Sequence, residues 1–152
     1  MEGPRSPNRG VKFLGSYLHQ LDDKGRVSLP ASFRREAADQ RFVLIQAYPP
    51  ALSLYPETSW LEVEERMRDL LQHNPDARMW VADRMSNAVE VSPDAQGRIL
   101  VPARLKEAAE LDGQVQLVGM IDKVDLWNPA TFEQARSQEA GTFQKFAGKI
   151  FR

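Results

Sequence analysis

Two stretches of this chain carry residue types that could do chemistry, and they carry them in the same order. In "LDDKGRVSLPASFR", Leu21 to Arg34, Asp22 is followed by Lys24, Gly25 and Arg26. In "PDAQGRILVPARLK", Pro93 to Lys106, Asp94, Gly97 and Arg98 stand at the same spacing, with Ala95 and Gln96 where the first stretch has Asp23 and Lys24. An arginine four residues after an aspartate, across a tight turn, has two chemistries open to it. It can close an internal ion pair that pins the turn, or it can aim its guanidinium fork at phosphate oxygens or at O6 and N7 of guanine. Both readings stand for Arg26. Arg98 reads as a scaffold pair, since its turn has no lysine beside it, whereas Lys24 reads as an outward cation suited to a phosphate, because no partner for it is evident.

Other cations extend the first stretch. Lys12, Arg34 and Arg35 are expected to project near Lys24 and Arg26, while the second stretch offers Arg98, Arg104 and Lys106. The first repeat is therefore the more cationic edge, and the second is expected to be more structural or oligomeric; Arg34 and Arg35 read equally well as a solvated helix face. Asp22, Gly25, Asp94 and Gly97 are expected to be turn residues. Asp favours turn initiation, and glycine takes the positive φ that other residues adopt only at a cost.

Catalysis finds little support. His19 and His73 lie far apart, cysteine is absent, and no metal-ligand spacing, phosphate loop or nucleophile elbow accompanies them. No cofactor, metal or small-molecule substrate is expected. Glu62, Glu64 and Glu65 share a helical stretch with Arg66 and Arg68, where ion pairs between neighbouring turns are the ordinary explanation.

The elements that must position these residues follow from the repeat. Asp22, Gly25, Arg26, Pro30 and Ala31 align with Asp94, Gly97, Arg98, Pro102 and Ala103 at a constant offset of 72 residues. The same offset pairs "FVLIQA" (Phe42–Ala47) with "QVQLVG" (Gln114–Gly119) and "LSLYP" (Leu52–Pro56) with "VDLWN" (Val124–Asn128). Each half reads as strand, turn, strand, short helix, strand, turn, strand, helix. Val27 and Leu29, like Ile99 and Val101, alternate as a half-buried strand requires, and Pro30 and Pro102 stop the strands. "YPPA" and "MIDK" are the turns of the second hairpins.

Between the halves, Trp60, Val63, Met67, Leu70 and Leu71 recur at helical spacing. Ser59 and Glu62 have capping-box form, and Asn74-Pro75-Asp76 predicts a break before a second helix. Asn128 is placed to cap the last helix, with Pro129 at its first position. "GTFQKFAGKIFR" reads as a frayed tail or a docking segment, and Trp60, Trp80 and Trp127 as core or subunit contacts.

A half on its own buries too little apolar area to offset a backbone entropy cost of roughly 1–2 kcal/mol per residue. The two halves are therefore expected to interleave their hairpins into a closed barrel about a pseudo-two-fold axis, an α+β architecture with short peripheral and linking helices. The organisation expected is a disordered leader (1–12), a first repeat (14–60), a helical linker (61–85), a second repeat (86–132) and a C-terminal helix and tail (133–152).

The formal net charge is −1, but residues 1–35 hold seven Lys/Arg against three Asp/Glu. A basic end on an acidic body could guide a phosphate backbone onto one face; an unevenly charged solvated surface is the plainer account. No apolar run is long enough for a membrane span, so a cytoplasmic protein is expected, with no membrane partner.

"FLGSYLHQLDDKGRVSLPASFR" and "VSPDAQGRILVPARLKEAAEL" resemble the two halves of the MraZ family, bacterial transcription regulators built from two SpoVT/AbrB-like swapped-hairpin repeats. Each family repeat carries an Asp-x-x-x-Arg signature, present here as Asp22…Arg26 and Asp94…Arg98, and the match covers about residues 12 to 145. The resemblance implies a nucleoid-associated repressor of the division and cell-wall gene cluster, including its own gene. It also implies that double-stranded promoter DNA is bound at short repeated boxes by a ring-like homo-oligomer, and the first repeat, with Lys24, is then expected to be the main DNA-facing edge. The chain departs from the family pattern in its leader "MEGPRSPNRGV" and in Ala95-Gln96, which makes the halves chemically unequal. The rival expectation is an assembly module that binds proteins and no DNA.

Overall fold

The computed structural model describes residues 10–151, so the expected disordered leader lies, over residues 1–9, outside the described residues. The first repeat runs β1 (Ser16–Gln20), β2 (Arg26–Ser28), α1 (Ala31–Glu36), β3 (Phe42–Ile45), β4 (Leu52–Pro56) and α2 (Glu57–His73). A 3-10 turn and α3 (Arg78–Ser86) follow. The second repeat runs β5 (Val89–Val91), β6 (Arg98–Leu100), α4 (Ala103–Ala108), β7 (Gln114–Gly119), β8 (Val124–Trp127) and α5 (Pro129–Gln138), and α6 (Phe143–Ile150) ends the described chain. The element order of each half is the one the repeat predicts.

The halves do interleave. β1 of the first repeat pairs with β7 of the second, and β5 of the second with β3 of the first, in a six-stranded antiparallel sheet of order β1-β7-β8-β4-β3-β5. Exchanging the repeats reverses that order onto itself, as a pseudo-two-fold axis requires. The axis runs between β4 and β8, where Ser53 faces Asp125, and between β2 and β6, where Val27 faces Ile99. Residues at equivalent places in their own repeats meet at these two points.

The expected closed barrel is not what forms. Among the described residues the sheet is open, with β1 and β5 as its edges, and β2 and β6 make a separate two-stranded ladder. Pro30 and Pro102 follow closely on these short strands; with no amide to donate, each stops the ladder before it could merge with the sheet. The ladder instead packs onto the sheet through Val27 and Ile99, both fully buried with Leu44, Leu52, Leu117 and Leu126.

Two further expectations shift. The gapless offset of 72 holds for β4 and β8, but the pairings of β3 and β7 align Phe42 with Val115 and Leu44 with Leu117, an offset of 73. One extra residue precedes β7 and one fewer lies in the turn after it. A register one residue off would have set Gln114 and Gln116 on the face that Phe42 and Leu44 bury, because side chains alternate across a strand. The capping box also fails: α2 starts at Glu57 after Pro56, and buried Ser59 sits inside the helix and donates to the Asp122 carbonyl at 2.7 Å.

The helices behave unequally. α2 lays buried Trp60 over Val43 and Ile45, covering the second face of β3, whereas the corresponding residues of β7, Gln116 and Val118, are only half-buried beside α5. The break at Asn74-Pro75 is present, and Asn128 caps α5 by accepting from the amides of Ala130 (2.8 Å) and Thr131 (3.1 Å). Trp127 is half-buried, while Trp80 is exposed. α6 turns Phe143, Phe146 and Ile150 to solvent.

Candidate nucleic-acid interface

The two aspartate-to-arginine turns are built by one set of bonds. Asp22 Oδ1 accepts the backbone amides of Lys24 (2.9 Å) and Arg26 (2.8 Å), and its Oδ2 accepts Arg26 Nε–H at 2.8 Å. Asp94 does the same for the amides of Gln96 and Arg98 and for Arg98 Nε–H, each at 2.9 Å. The chain closes behind each carboxylate through Gly25 N–H to the Asp22 carbonyl (3.0 Å) and Gly97 N–H to the Asp94 carbonyl (2.9 Å). These glycines take φ of +84° and +76°, a region that L side chains rarely adopt.

The bonds set the charge state. The Arg26 amide foremost, with the Arg26 guanidinium and the Lys24 amide, holds the Asp22 carboxyl below the ordinary aspartate value. The Arg98 amide leads the same effect on Asp94. Both carboxylates therefore stay ionised near neutral pH and grip one edge of their arginine. Among the described residues neither arginine's terminal Nη groups meet a protein acceptor. Scaffold pairing and outward contact are thus compatible, because the ion pair uses Nε and leaves the rest of the fork available.

The β2–β6 ladder brings the turns together. Its register pairs Arg26 with Leu100, Val27 with Ile99 and Ser28 with Arg98. Directly opposed residues share a face and neighbours alternate, so burying Val27 and Ile99 turns Arg26, Ser28, Arg98 and Leu100 outward together. By ordinary ladder geometry the two arginines lie about 7–8 Å apart on the diagonal. The ends are tied across the repeats by Leu29 N–H to the Gly97 carbonyl (2.9 Å) and Val101 N–H to the Gly25 carbonyl (2.8 Å).

Of the remaining candidate cations, Arg34 is brought to the second turn rather than the first. Phe33, buried edge-on against Phe13 (5.4 Å) and Tyr17 (5.3 Å), anchors α1 and leaves Arg34 and Arg35 exposed. Arg34 reaches into the other repeat: a Cβ built on Gly97 would collide with its guanidinium end. Lys24 is exposed at the tip of its turn, as is Gln96 in the second. Lys12 is exposed, and its amide donates to Glu36 Oε1 at 2.8 Å; Arg104 is exposed on α4. Ser28 and Leu100 also face outward here, a placement that their period-two alternation with Val27 and Ile99 predicts.

His19 and the helical carboxylate Glu64 make local bonds. His19 Nδ1 donates to the Ser28 carbonyl at 2.6 Å, and Glu64 pairs with Arg68 at 3.0 Å. Among the described residues no helix is long and apolar enough to cross a membrane.

The family model described as "MraZ protein, putative antitoxin-like" matches the chain twice, over residues 12–83 and 85–152. The chain belongs to the MraZ family. It is similar to the protein named Transcriptional regulator MraZ of Moorella thermoacetica, at 37% identity over 138 residues, which is 91% of this chain and 96% of that protein. Proteins of the same name from Desulfitobacterium hafniense and Desulforamulus reducens are 39% and 36% identical, with the same shares of each chain. The two matched MraZ segments each contain one aspartate-to-arginine turn, so both turns of the ladder belong to the family resemblance.

Proposed function

We propose that this chain is a transcriptional regulator that binds double-stranded DNA with the outward face of the β2–β6 ladder. The observation that carries the reading is that Arg26 and Arg98, one from each repeat, leave the same side of one ribbon, each held by its aspartate through a single edge. A two-stranded ribbon fits the major groove, about 12 Å wide, and an arginine fork there can bond guanine O6 and N7. On this reading the exposed Lys24, Arg34, Arg35, Lys12 and Arg104 serve as phosphate contacts, which fix orientation without reading sequence. The second repeat thereby becomes part of the reading surface, and Arg98 a contact in its own right.

One such face offers few contacts, and non-specific binding by dedicated proteins is only ~10⁻⁴–10⁻⁶ M. A ring-like homo-oligomer set on repeated promoter boxes would convert later contacts into intramolecular ones. The chain's own promoter and the division and cell-wall cluster are the targets the family points to, with repression as the outcome. The exposed apolar residues of α6 supply a surface for self-association.

The test is fluorescence anisotropy with the duplex upstream of the chain's own gene, against a shuffled duplex, at several salt concentrations. Tighter binding to the first, falling steeply with salt, is expected, and Lys24→Ala should weaken binding to both duplexes and reduce the log–log salt slope by about 1. Equal, salt-insensitive binding to both duplexes would leave the assembly module as the better reading.

A further inference from the structure

We propose that Leu100 reads the 5-methyl group of a thymine, and so makes the two ends of the ribbon unequal readers of DNA. The inference rests on the DNA-binding reading above and goes beyond it to one specificity-determining residue.

Leu100 is 53% exposed on a face otherwise made of two arginines and a serine. Its place is well defined: it stands opposite Arg26, and its Cδ1 lies 3.7 Å from where a Cβ on Gly25 would be, so it leans over the first turn. The backbone beneath it is held by the ladder and by the bond from Val101 N–H to the Gly25 carbonyl, 2.8 Å long. Standing outward beside two arginine forks, this side chain offers the face an apolar contact that neither the arginines nor the serine can make. On the edges of base pairs in the major groove the apolar feature is the thymine methyl.

The pseudo-two-fold sharpens this. The residue equivalent to Leu100 is Ser28, which stands opposite Arg98. A serine hydroxyl can donate to or accept from any base edge and offers little to a methyl. One end of the ribbon thus presents Arg26 with Leu100, fitted to guanine beside thymine. The other presents Arg98 with Ser28, fitted to guanine beside a loosely specified neighbour. A site read this way has a direction, although the backbone reading it is nearly two-fold.

The experiment compares the upstream duplex with a copy in which every thymine is replaced by uracil, which removes only the 5-methyl groups. Wild-type protein is expected to bind the uracil duplex about fourfold more weakly per contact, the scale of one buried methyl. Leu100→Ser should bind the thymine duplex weaker by that factor and no longer distinguish the two, while Ser28→Leu should increase the discrimination. Because both side chains are exposed, these variants keep the core intact, which circular dichroism melting checks. Equal wild-type binding to both duplexes overturns the proposal, and so does undiminished discrimination by Leu100→Ser. If wild-type protein binds neither duplex, the DNA-binding reading itself fails.

Discussion

The two turns differ less in how they are made than in what they present. Asp22 and Asp94 each hold two amides and one guanidinium edge, with bond lengths matching within 0.1 Å, and each is closed by a glycine at positive φ. Yet the first turn carries Lys24 at its tip and Leu100 beside its arginine, whereas the second carries Gln96 and Ser28, with Arg34 of the other repeat laid over Gly97. The frame is duplicated and the presented groups have diverged. A carboxylate that only pinned a hairpin would need neither arginine to point outward; holding each by Nε alone leaves both free to touch something else.

The comparison can be broken at the point where the turns are joined. Ile99 is fully buried opposite Val27 on the axis, so Ile99→Ala should cost about 2–5 kcal/mol of unfolding free energy in chemical denaturation. Both turns should loosen together, seen as shared loss of amide protection. Protection lost at one turn alone would mean that the ladder does not couple them.

Next in size is the contribution of each arginine to DNA affinity. Arg26→Ala and Arg98→Ala should each weaken binding to the upstream duplex by about 1–3 kcal/mol in anisotropy titrations. Losses of similar size support one composite face; a loss confined to Arg26→Ala would return the site to the first repeat.

The glycines share the strain of a left-handed residue and should separate by what an added Cβ meets. Gly25→Ala and Gly97→Ala each force φ near +80° on a residue with a Cβ, at about 1–2 kcal/mol. The Cβ added at Gly25 meets the Val101 backbone carbonyl at 3.0 Å, while the one at Gly97 meets the movable end of Arg34. Thermal melts should therefore show Gly25→Ala as the more damaging, and Gly97→Ala as the one that displaces Arg34.

The smallest effect is with pH. Both aspartates have folded values below the ordinary 3.8, so their bonds stabilise the turns fully above about pH 4, and that stabilisation is lost as pH falls through the lowered values. Carboxyl titration by NMR should show two depressed midpoints. In Asp22→Asn the first of these disappears and the second should stay in place.

Much of this was legible along the chain. The duplication, the element order of each half, the turn glycines, the break at Asn74-Pro75 and the Asn128 cap all depend on groups within a few residues of one another. What residue type concealed was which groups share a surface. Arg34 reads as a neighbour of the first turn but sits over the second, and Leu100 reads as one more apolar strand residue but faces outward.

What the sequence by itself determined is the pair of carboxylate-held turns, because their hydrogen bonds close within four residues and need only Asp, Gly and Arg at the right spacing. Only the tertiary structure decided that β2 meets β6, that the sheet stays open, and that β7 slips by one residue to bury Val115 and Leu117. Those outcomes depend on strands brought together from distant parts of the chain, where the burial of Val27, Ile99 and the residues beneath them selects among pairings that no local pattern distinguishes.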